Sequence, residues 1–518
     1  MAVPRVFDDD ARQHVYWTYR FRDGELFRDD LLTAFMSSPK VAPLGYQALY
    51  FLGVQVFNPL LFSQLLSLAL ALLATWLIFC LGCEIGGRQG GSLAAGGFLL
   101  YYLYATGGGL PKSFAFPLLL ASLLSLERRR YTGVAALFVL QSLFYPPVLL
   151  NTAALVALRW GRQRRLWRQA WRQLALCGLG LGLAGGLLLG VYASHPAAFG
   201  RQITAAEARA MPEFSAQGRS AFYGDTLLQT LANERGGIGA SRLLGFAGLL
   251  LLLALLQRPP RLRVPAVVGE LLLTSGVLFL LAHALLFRLH LPSRYVLYTF
   301  PLAALLLIAA NTPAALAGMR QRWPGLLARL ASRPPRWNIG WALVALLAFA
   351  YVQNRYLVHL DPLVVYVDRQ AMPLYRYLHT LPKDVLIAGH PLDLDNVPLL
   401  AQRTVLVNRE TSLPYFTGYY GQVRQRLFDT LAAYYAAEEA EVWRFVKKYG
   451  IDYLLLNRER FTPQFVRNGV YYEPFASFVR QRLTEPPRFA LLALAKTHTV
   501  YAVGPYRLLS FHRKGTPP

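Results

Sequence analysis

The stretch Val6 to Arg22, VFDDDARQHVYWTYRFR, sets three adjacent carboxylates beside a cation, a histidine and a run of aromatics. Carboxylates this close raise one another's proton affinity, so one of them can act as a general base. Their hard oxygens also suit magnesium, manganese or calcium, so a divalent cation could sit there, although the spacing specifies no ligand set. Asp9 and Asp10 are the candidate catalytic pair, and Arg12 and His14 are the candidate substrate-binding groups beside them. A solvated turn or a helix N-cap is the competing reading, and Asp10 before Ala11 is well placed to cap. Capping does not explain why Arg12, His14 and the aromatics follow at once, close to the first apolar stretch.

Those acids need a scaffold, and composition says what kind. The chain has 518 residues, 55% of them hydrophobic, and a mean hydropathy of +0.32. That is too long for one soluble core and too apolar for an ordinary soluble enzyme. The formal net charge of +25 would suit a nucleic acid if it formed one patch, but the basic residues are divided among short loops between apolar spans. No nucleic-acid partner is expected. Cys80, Cys83 and Cys177 all lie in or beside apolar spans, which excludes a disulfide framework.

The expected fold is an α-helical polytopic membrane protein of about ten spans with a C-terminal extracytoplasmic α/β domain. The spans are Pro59 to Leu81, Ser92 to Thr106, Ser113 to Leu126, Tyr131 to Tyr145, Val148 to Leu158, Leu174 to Ser194, Leu243 to Leu256, Ala266 to Phe287, Tyr295 to Leu316 and Ile339 to Tyr356. Tyr145-Pro146-Pro147 must break a longer apolar stretch, since proline cannot donate to a helix. Counted as a turn, that break puts every arginine cluster between spans on one side. These are Arg88, Arg128 to Arg130, Arg159 to Arg172, Arg258 to Arg263 and Arg320 to Arg336. Residues 1–58, with the acidic motif, and 357–518 then face away from the cytoplasm, flanking a transmembrane region at 59–356. Export of the first residues is expected to need one further helix upstream.

Between the acids and the first span, Leu31, Leu32 and Phe35, then Tyr46, Leu49, Tyr50 and Gly53, fall at helical spacing and predict helices in the interface plane. In the C-terminal region Asp384 to Ala388, Thr404 to Asn408 and Ile451 to Leu456 predict strands. Val442, Phe445, Val446 and Tyr449 predict a helix that Gly450 caps. His390, Asp393 and Asp395 could form a polar site, but their types alone favour a solvated loop. Gly180-Leu181-Gly182-Leu183-Ala184-Gly185 matches a dinucleotide fingerprint inside an apolar span, where small-residue packing explains it. Glu270 and His283 lie about 20 Å apart along one helix, which argues against a direct relay.

Asp9-Asp10-Ala11-Arg12 resembles the Asp-Glu-Ala-Arg type motif in the first external loop of GT-C fold glycosyltransferases, such as the protein O-mannosyltransferase and aminoarabinose transferase group. The order of parts is similar too: an acidic first loop, many spans with arginine-rich inner loops, and an outer α/β domain. The resemblance implies a sugar carried on a polyprenyl phosphate, a membrane lipid partner, and an acid of the first loop that activates the acceptor. Asp9 would match the first acid of the motif and Asp10 the second. Many members carry a further acid in the next external loop, but Gly107-Gly108-Gly109-Leu110-Pro111-Lys112-Ser113 has none, which puts metal binding in doubt. Lys112 offers a cation for a phosphate instead. Arg294 and Tyr295 resemble the Arg-Tyr pairs beside the active site of this group, and an arginine can hold a departing phosphate through paired hydrogen bonds.

The expected function is transfer of a sugar from a polyprenyl phosphate carrier to an extracytoplasmic acceptor, in an integral multi-pass protein of the plasma membrane. The alternatives are a GT-C-like lipid-binding scaffold without chemistry, or a transporter. A transporter should show paired charges at mid-membrane and repeats among its spans.

Overall fold

The computed structural model describes residues 6–102, 107–162, 171–322 except 195, 225, 234, 258 and 290, residue 324, and 364–511 except 463, 466–470 and 485–488. The expected span Ile339 to Tyr356 lies outside the described residues. Contacts divide the chain into two units. One gathers Met1–Ser63, Ala193–Gly224 and Val364–Pro518; the other holds Gln64–Tyr192 and Asp225–Leu363.

In the first unit, strand β1 (Val6–Asp8) pairs antiparallel with β2 (Val364–Tyr366), so the acidic segment is tied by its backbone to the distant C-terminal region. A five-stranded sheet follows, from β3 (Leu386–Gly389), β4 (Thr404–Val405), β5 (Tyr453–Asn457), β6 (Thr499–Val503) and β7 (Tyr506–Ser510). Its order is β4-β3-β5-β7-β6. The first two pairings are parallel and the last two antiparallel. Strand β5 is buried along its whole length, as a strand covered on both faces must be, which is why its apolar run is continuous.

The three expected strands are β3, β4 and β5, with one boundary corrected. Thr404 to Asn408 is strand only over Thr404–Val405; the Leu406 N–H still donates to the Ile387 carbonyl at 3.0 Å, and the chain then turns where Asn408 Oδ1 accepts the backbone N–H of Thr411 at 2.9 Å. Helix Glu439–Tyr449 buries Val442, Phe445 and Val446 and ends at Gly450 with φ of 64°, as the spacing predicts. The β6–β7 hairpin was not expected, since the edge strand β6 alternates weakly between half-buried and exposed.

The two helices expected before the first span form at Leu31–Met36 and Leu44–Val56. The second buries Tyr46, Tyr50 and Val54 and leaves Phe51, Leu52 and Val56 exposed. An apolar face left outward on a short helix suits a membrane interface.

In the second unit every expected span that falls within the described residues is helical. Four helical stretches among these residues are long and apolar enough to cross a membrane: Pro59–Leu99, Trp171–Ala193, Ala266–Ala284 and Pro292–Arg322. The first contains two expected spans. Helix Pro59–Tyr102 loses helical geometry at Gly86 and Gly87, and Gly91 lies against Cys83 and Phe79, so the chain folds back there. Gly86 and Gly90 lie so close to the backbone oxygen of Ala309 that a Cβ on either would collide with it.

The break at Tyr145 is also a reversal. Helices Tyr131–Phe144 and Pro146–Arg162 run back along each other, with Gln141 Nε2 donating to Thr152 Oγ1 at 3.0 Å and the Tyr131 and Trp160 rings 5.4 Å apart. Of the glycines in the fingerprint-like run, Gly180 alone packs tightly, on Ala135; Gly182 and Gly185 face open space. The apolar helix Trp171–Ala193 leaves Leu179, Leu183 and Leu189 exposed, a surface suited to lipid.

Ion pairs collect the arginine turns at one end of this unit. Arg128 pairs with Glu84 at 2.9 Å, Arg159 with Glu127 at 2.5 Å and Glu270 at 2.6 Å, and Arg162 with Glu270 at 3.3 Å. Glu270 is therefore a pin at a helix end.

Replacing Gly90 with leucine should break the contact with Ala309 at a cost of about 1–3 kcal/mol, the usual range for overpacking. Gly182→Leu, which meets open space, should leave the thermal midpoint of the purified protein unchanged. Equal midpoints for the two variants would refute the packing argument.

Candidate functional site

Strand β1 delivers Asp8, Asp9 and Asp10 to the first unit. Asp8 Oδ1 accepts the backbone N–H of Asp10 at 3.0 Å, which turns the chain into the single helical turn Ala11–His14. Asp10 occupies the N-cap position, yet its side chain makes no capping hydrogen bond, so capping does not account for the acids. The turn instead aims Arg12 inward. Its guanidinium bonds Asp9, reaches Glu410 Oε1 at 3.2 Å, and lies 3.7 Å from Asp395 Oδ2.

Glu410 is held from three parts of the chain. Gln13 Nε2 donates to its Oε2 at 2.9 Å, and Arg219, from the segment between helices Trp171–Ala193 and Leu227–Ala232, donates to the same oxygen at 3.3 Å. Arg219 Nε also donates to the carbonyl of Arg409 at 2.9 Å. The backbone N–H of Glu410 donates to Asp395 Oδ1 at 3.0 Å, which joins the two acidic loops.

The loops come together because of the sheet. The loop after β3 carries His390, Asp393 and Asp395, the loop after β4 carries Asn408 and Glu410, and β5 runs into Asn457 and Arg460. All leave the carboxyl ends of neighbouring parallel strands, where open α/β sheets place their crevices. Asp393 accepts Arg460 at 2.7 Å and Asn457 Nδ2 at 3.0 Å. The solvated-loop reading of His390, Asp393 and Asp395 is thus corrected, since all three are buried. Sequence reasoning also missed Glu410 and Arg219, whose only local signal is Glu410's place just after a strand.

Asp9, Asp10 and Glu410 each bring an oxygen within 4.8 Å of the others. Asp9 is 37% exposed and Asp10 is half-buried, whereas Glu410 and Asp395 are 4% and 5% exposed, so the two motif acids are the members open to a substrate. Burial and then Glu410 raise the proton affinity of Asp9, against the opposing pull of Arg12. Burial, with Glu410 beside it, pushes Asp395 up to about 7. Burial works against the Arg12 cation, but Asp395, Glu410 and Asp9 together outweigh it and hold the guanidinium charged. Three hard carboxylates converging on one point fit a divalent cation, and two of them come from the motif itself.

The remaining candidates lie apart from this cluster in sequence or unit. His14 lends its carbonyl to the Tyr46 hydroxyl at 3.0 Å. Lys112 and Arg294 belong to the second unit, at the end of the hairpin turn at Tyr145. Phe114 stacks on Phe144 at 4.5 Å, Phe116 meets Tyr298 at 5.2 Å, and the Tyr145 and Tyr298 hydroxyls lie 3.3 Å apart. This aromatic junction brings the segments of Lys112 and Arg294 to one end of the unit, opposite the arginine-rich turns. Tyr295 is buried, and its hydroxyl donates to the carbonyl of Leu289 at 2.7 Å, which holds the loop before Arg294.

No protein-family model matches the chain, and no curated protein matches it. Solved structures do. ArnT from Cupriavidus metallidurans in the apo state is 14% identical, with 97% of this chain and 93% of that chain covered at a TM-score of 0.48. The same protein bound to undecaprenyl phosphate gives 15%, 99%, 95% and 0.48. Archaeal oligosaccharyltransferase AglB from Archaeoglobus fulgidus, in complex with an inhibitory peptide and a dolichol-phosphate, is 13% identical over 91% of this chain and 68% of that chain, at 0.41. The chain is similar to GT-C fold membrane glycosyltransferases.

Two outcomes follow from the site's electrostatics. Arg12→Ala leaves Glu410 and Asp395 buried without their shared cation and should cost about 3–5 kcal/mol, read as a fall in thermal midpoint, with Arg12→Lys recovering part of it. His390 is fully buried, and burial depresses its imidazole to about 3. Below the ordinary imidazole value of 6.5 the unfolded chain takes up a proton that the folded chain refuses, so stability is lost as pH falls. The loss is at most about 1.4 kcal/mol per pH unit. Between pH 7 and 5 the wild type should therefore lose more stability than His390→Gln, and parallel slopes would refute this.

Proposed function

We propose that the chain is a membrane glycosyltransferase that moves a sugar from a polyprenyl phosphate to an acceptor hydroxyl on the outer face of the plasma membrane. The observation that carries this reading is the convergence of Asp9, Asp10 and Glu410 to within 4.8 Å, with Asp9 solvent-facing and its proton affinity raised. A carboxylate with raised proton affinity is a better base near neutral pH.

In the reaction the acceptor oxygen attacks the anomeric carbon of the sugar. Asp9 takes the acceptor's proton, the new carbon–oxygen bond forms, and the bond from that carbon to the phosphate oxygen breaks with its electron pair going to the phosphate. Arg12 keeps Asp9 and Glu410 in place. Lys112 and Arg294 supply cations for the departing phosphate, since charge that develops in the transition state is best met by groups already oriented. A divalent cation held by Asp10 and Glu410 would add Lewis-acid stabilisation of the phosphate oxygens.

Two of the similar structures hold undecaprenyl phosphate and dolichol-phosphate, and those are the carriers to test first. Membranes containing the chain should transfer labelled sugar from one such carrier. Asp9→Asn should lower the rate by about 10²-fold or more at unchanged thermal midpoint, the usual scale for losing a general base. Asp10→Asn and Glu410→Gln should make the residual rate depend on added manganese or magnesium. A lipid-binding scaffold or a transporter would be indicated by carrier binding with no transfer and by indifference to Asp9→Asn.

A further inference from the structure

At the arginine-rich end of the second unit, the second half of the Pro59–Tyr102 hairpin and helix Thr299–Arg322 leave an open groove of about 500 Å³. Arg88, Gln89, Ser92 and Leu93 line one side, and Thr312 and Leu316 the other. Each set lies on a single helix face, at spacings of three to five residues. Arg320 continues the row of Thr312 and Leu316 by one more turn. Gly86 and Gly90 bring the hairpin turn onto the backbone at Ala309, beside the groove.

The charges around this groove do not balance. Among the described residues of the unit the carboxylates are Glu84, Glu127 and Glu270, and each is already paired, with Arg128, Arg159, and Arg159 with Arg162 respectively. Glu84 stands one turn before Arg88 but faces Arg128. Arg88 and Arg320 are exposed and have no carboxylate partner among those residues. A cation at the mouth of a groove whose floor carries Leu93 and Leu316 asks for an anion that has a hydrocarbon tail.

We propose that this groove binds an anionic diacyl phospholipid, with the headgroup phosphate on Arg88 and Ser92 and an acyl chain along Leu93 and Leu316. Basic grooves between membrane helices are a recognised form of headgroup site. The site lies at the opposite end of the unit from Lys112 and Arg294 and does not depend on the glycosyltransferase reading.

The test is native mass spectrometry of the full chain, released from nanodiscs holding equal amounts of phosphatidylglycerol and phosphatidylcholine with matched acyl chains. The wild type should retain phosphatidylglycerol preferentially and be raised in thermal midpoint by it. Arg88→Gln should cut that retention at least threefold and abolish the thermal shift. Leu316→Trp, which fills the groove without touching charge, should do the same, whereas Arg172→Gln, an exposed arginine elsewhere, should not. Equal retention of both lipids would overturn the proposal, as would equal losses in Arg88→Gln and Arg172→Gln. Displacement of phosphatidylglycerol by an equal amount of undecaprenyl phosphate would overturn the assignment to a diacyl lipid.

Discussion

The candidate site depends on one buried cation. Arg12 sits at 11% exposure with Asp9, Glu410 and Asp395 around it, and its charge offsets part of the cost of burying carboxylates there. Taking a charge out of water costs several kcal/mol, and only close opposite charge and hydrogen bonds offset it. The guanidinium does this for three acids at once because it is planar and carries five donors, a geometry lysine lacks. Arg219 repeats the device on the far oxygen of Glu410. Arg12 and Arg219 thus lie among four carboxylates, counting Asp10, with Asp9 on the more open side.

That arrangement in turn requires the fold to join distant pieces of chain. The acids of the motif begin at Asp8, while Asp395 and Glu410 lie nearly four hundred residues later. The β1–β2 pairing brings the two ends together through backbone hydrogen bonds, which demand extended geometry and little of the side chains. The parallel strands β3 and β4 then set their following loops side by side, and bonds from the Glu410 N–H to Asp395 and from the Arg409 N–H to the Pro391 carbonyl join them. Asp395 near 7 and His390 near 3 are consequences of this burial.

The sequence made some of this legible and hid the rest for definite reasons. Asp9, Asp10 and Arg12 were readable because their chemistry is local, within one turn. The apolar spans that fall within the described residues were readable as helices because length and hydropathy act along the chain. Strands β3 and β5 announced themselves as continuous apolar runs. Glu410 could not be read, since an acid after a strand becomes a site member only through a long-range contact. His390, Asp393 and Asp395 were read as solvated because acidic loops usually are. What reversed that outcome, Asn457 and Arg460 on the next strand over, is information held in sheet order. The reversal at Gly86 and Gly87 was readable as the turn around Arg88 between the spans Pro59 to Leu81 and Ser92 to Thr106, because a short polar run interrupts the apolar stretch there.

The same electrostatics constrain how the acids can divide their work. A carboxylate that ligates a divalent cation has its proton affinity driven down and is a poor base, while one held beside other acids has it driven up. Asp9 already spends one oxygen on Arg12, which lowers its proton affinity, yet burial and Glu410 still leave it raised. Asking Asp9 to hold a cation as well would remove the property that suits it to accept a proton. Glu410 is fixed from three sides and cannot follow a moving substrate, but a fixed oxygen is what a cation site needs. In the reaction proposed above, the division that keeps both functions is Asp9 for the proton, with Asp10 and Glu410 for positive charge. Residues 107–113 carry no acid, and the third carboxylate of the cluster comes instead from the far end of the chain.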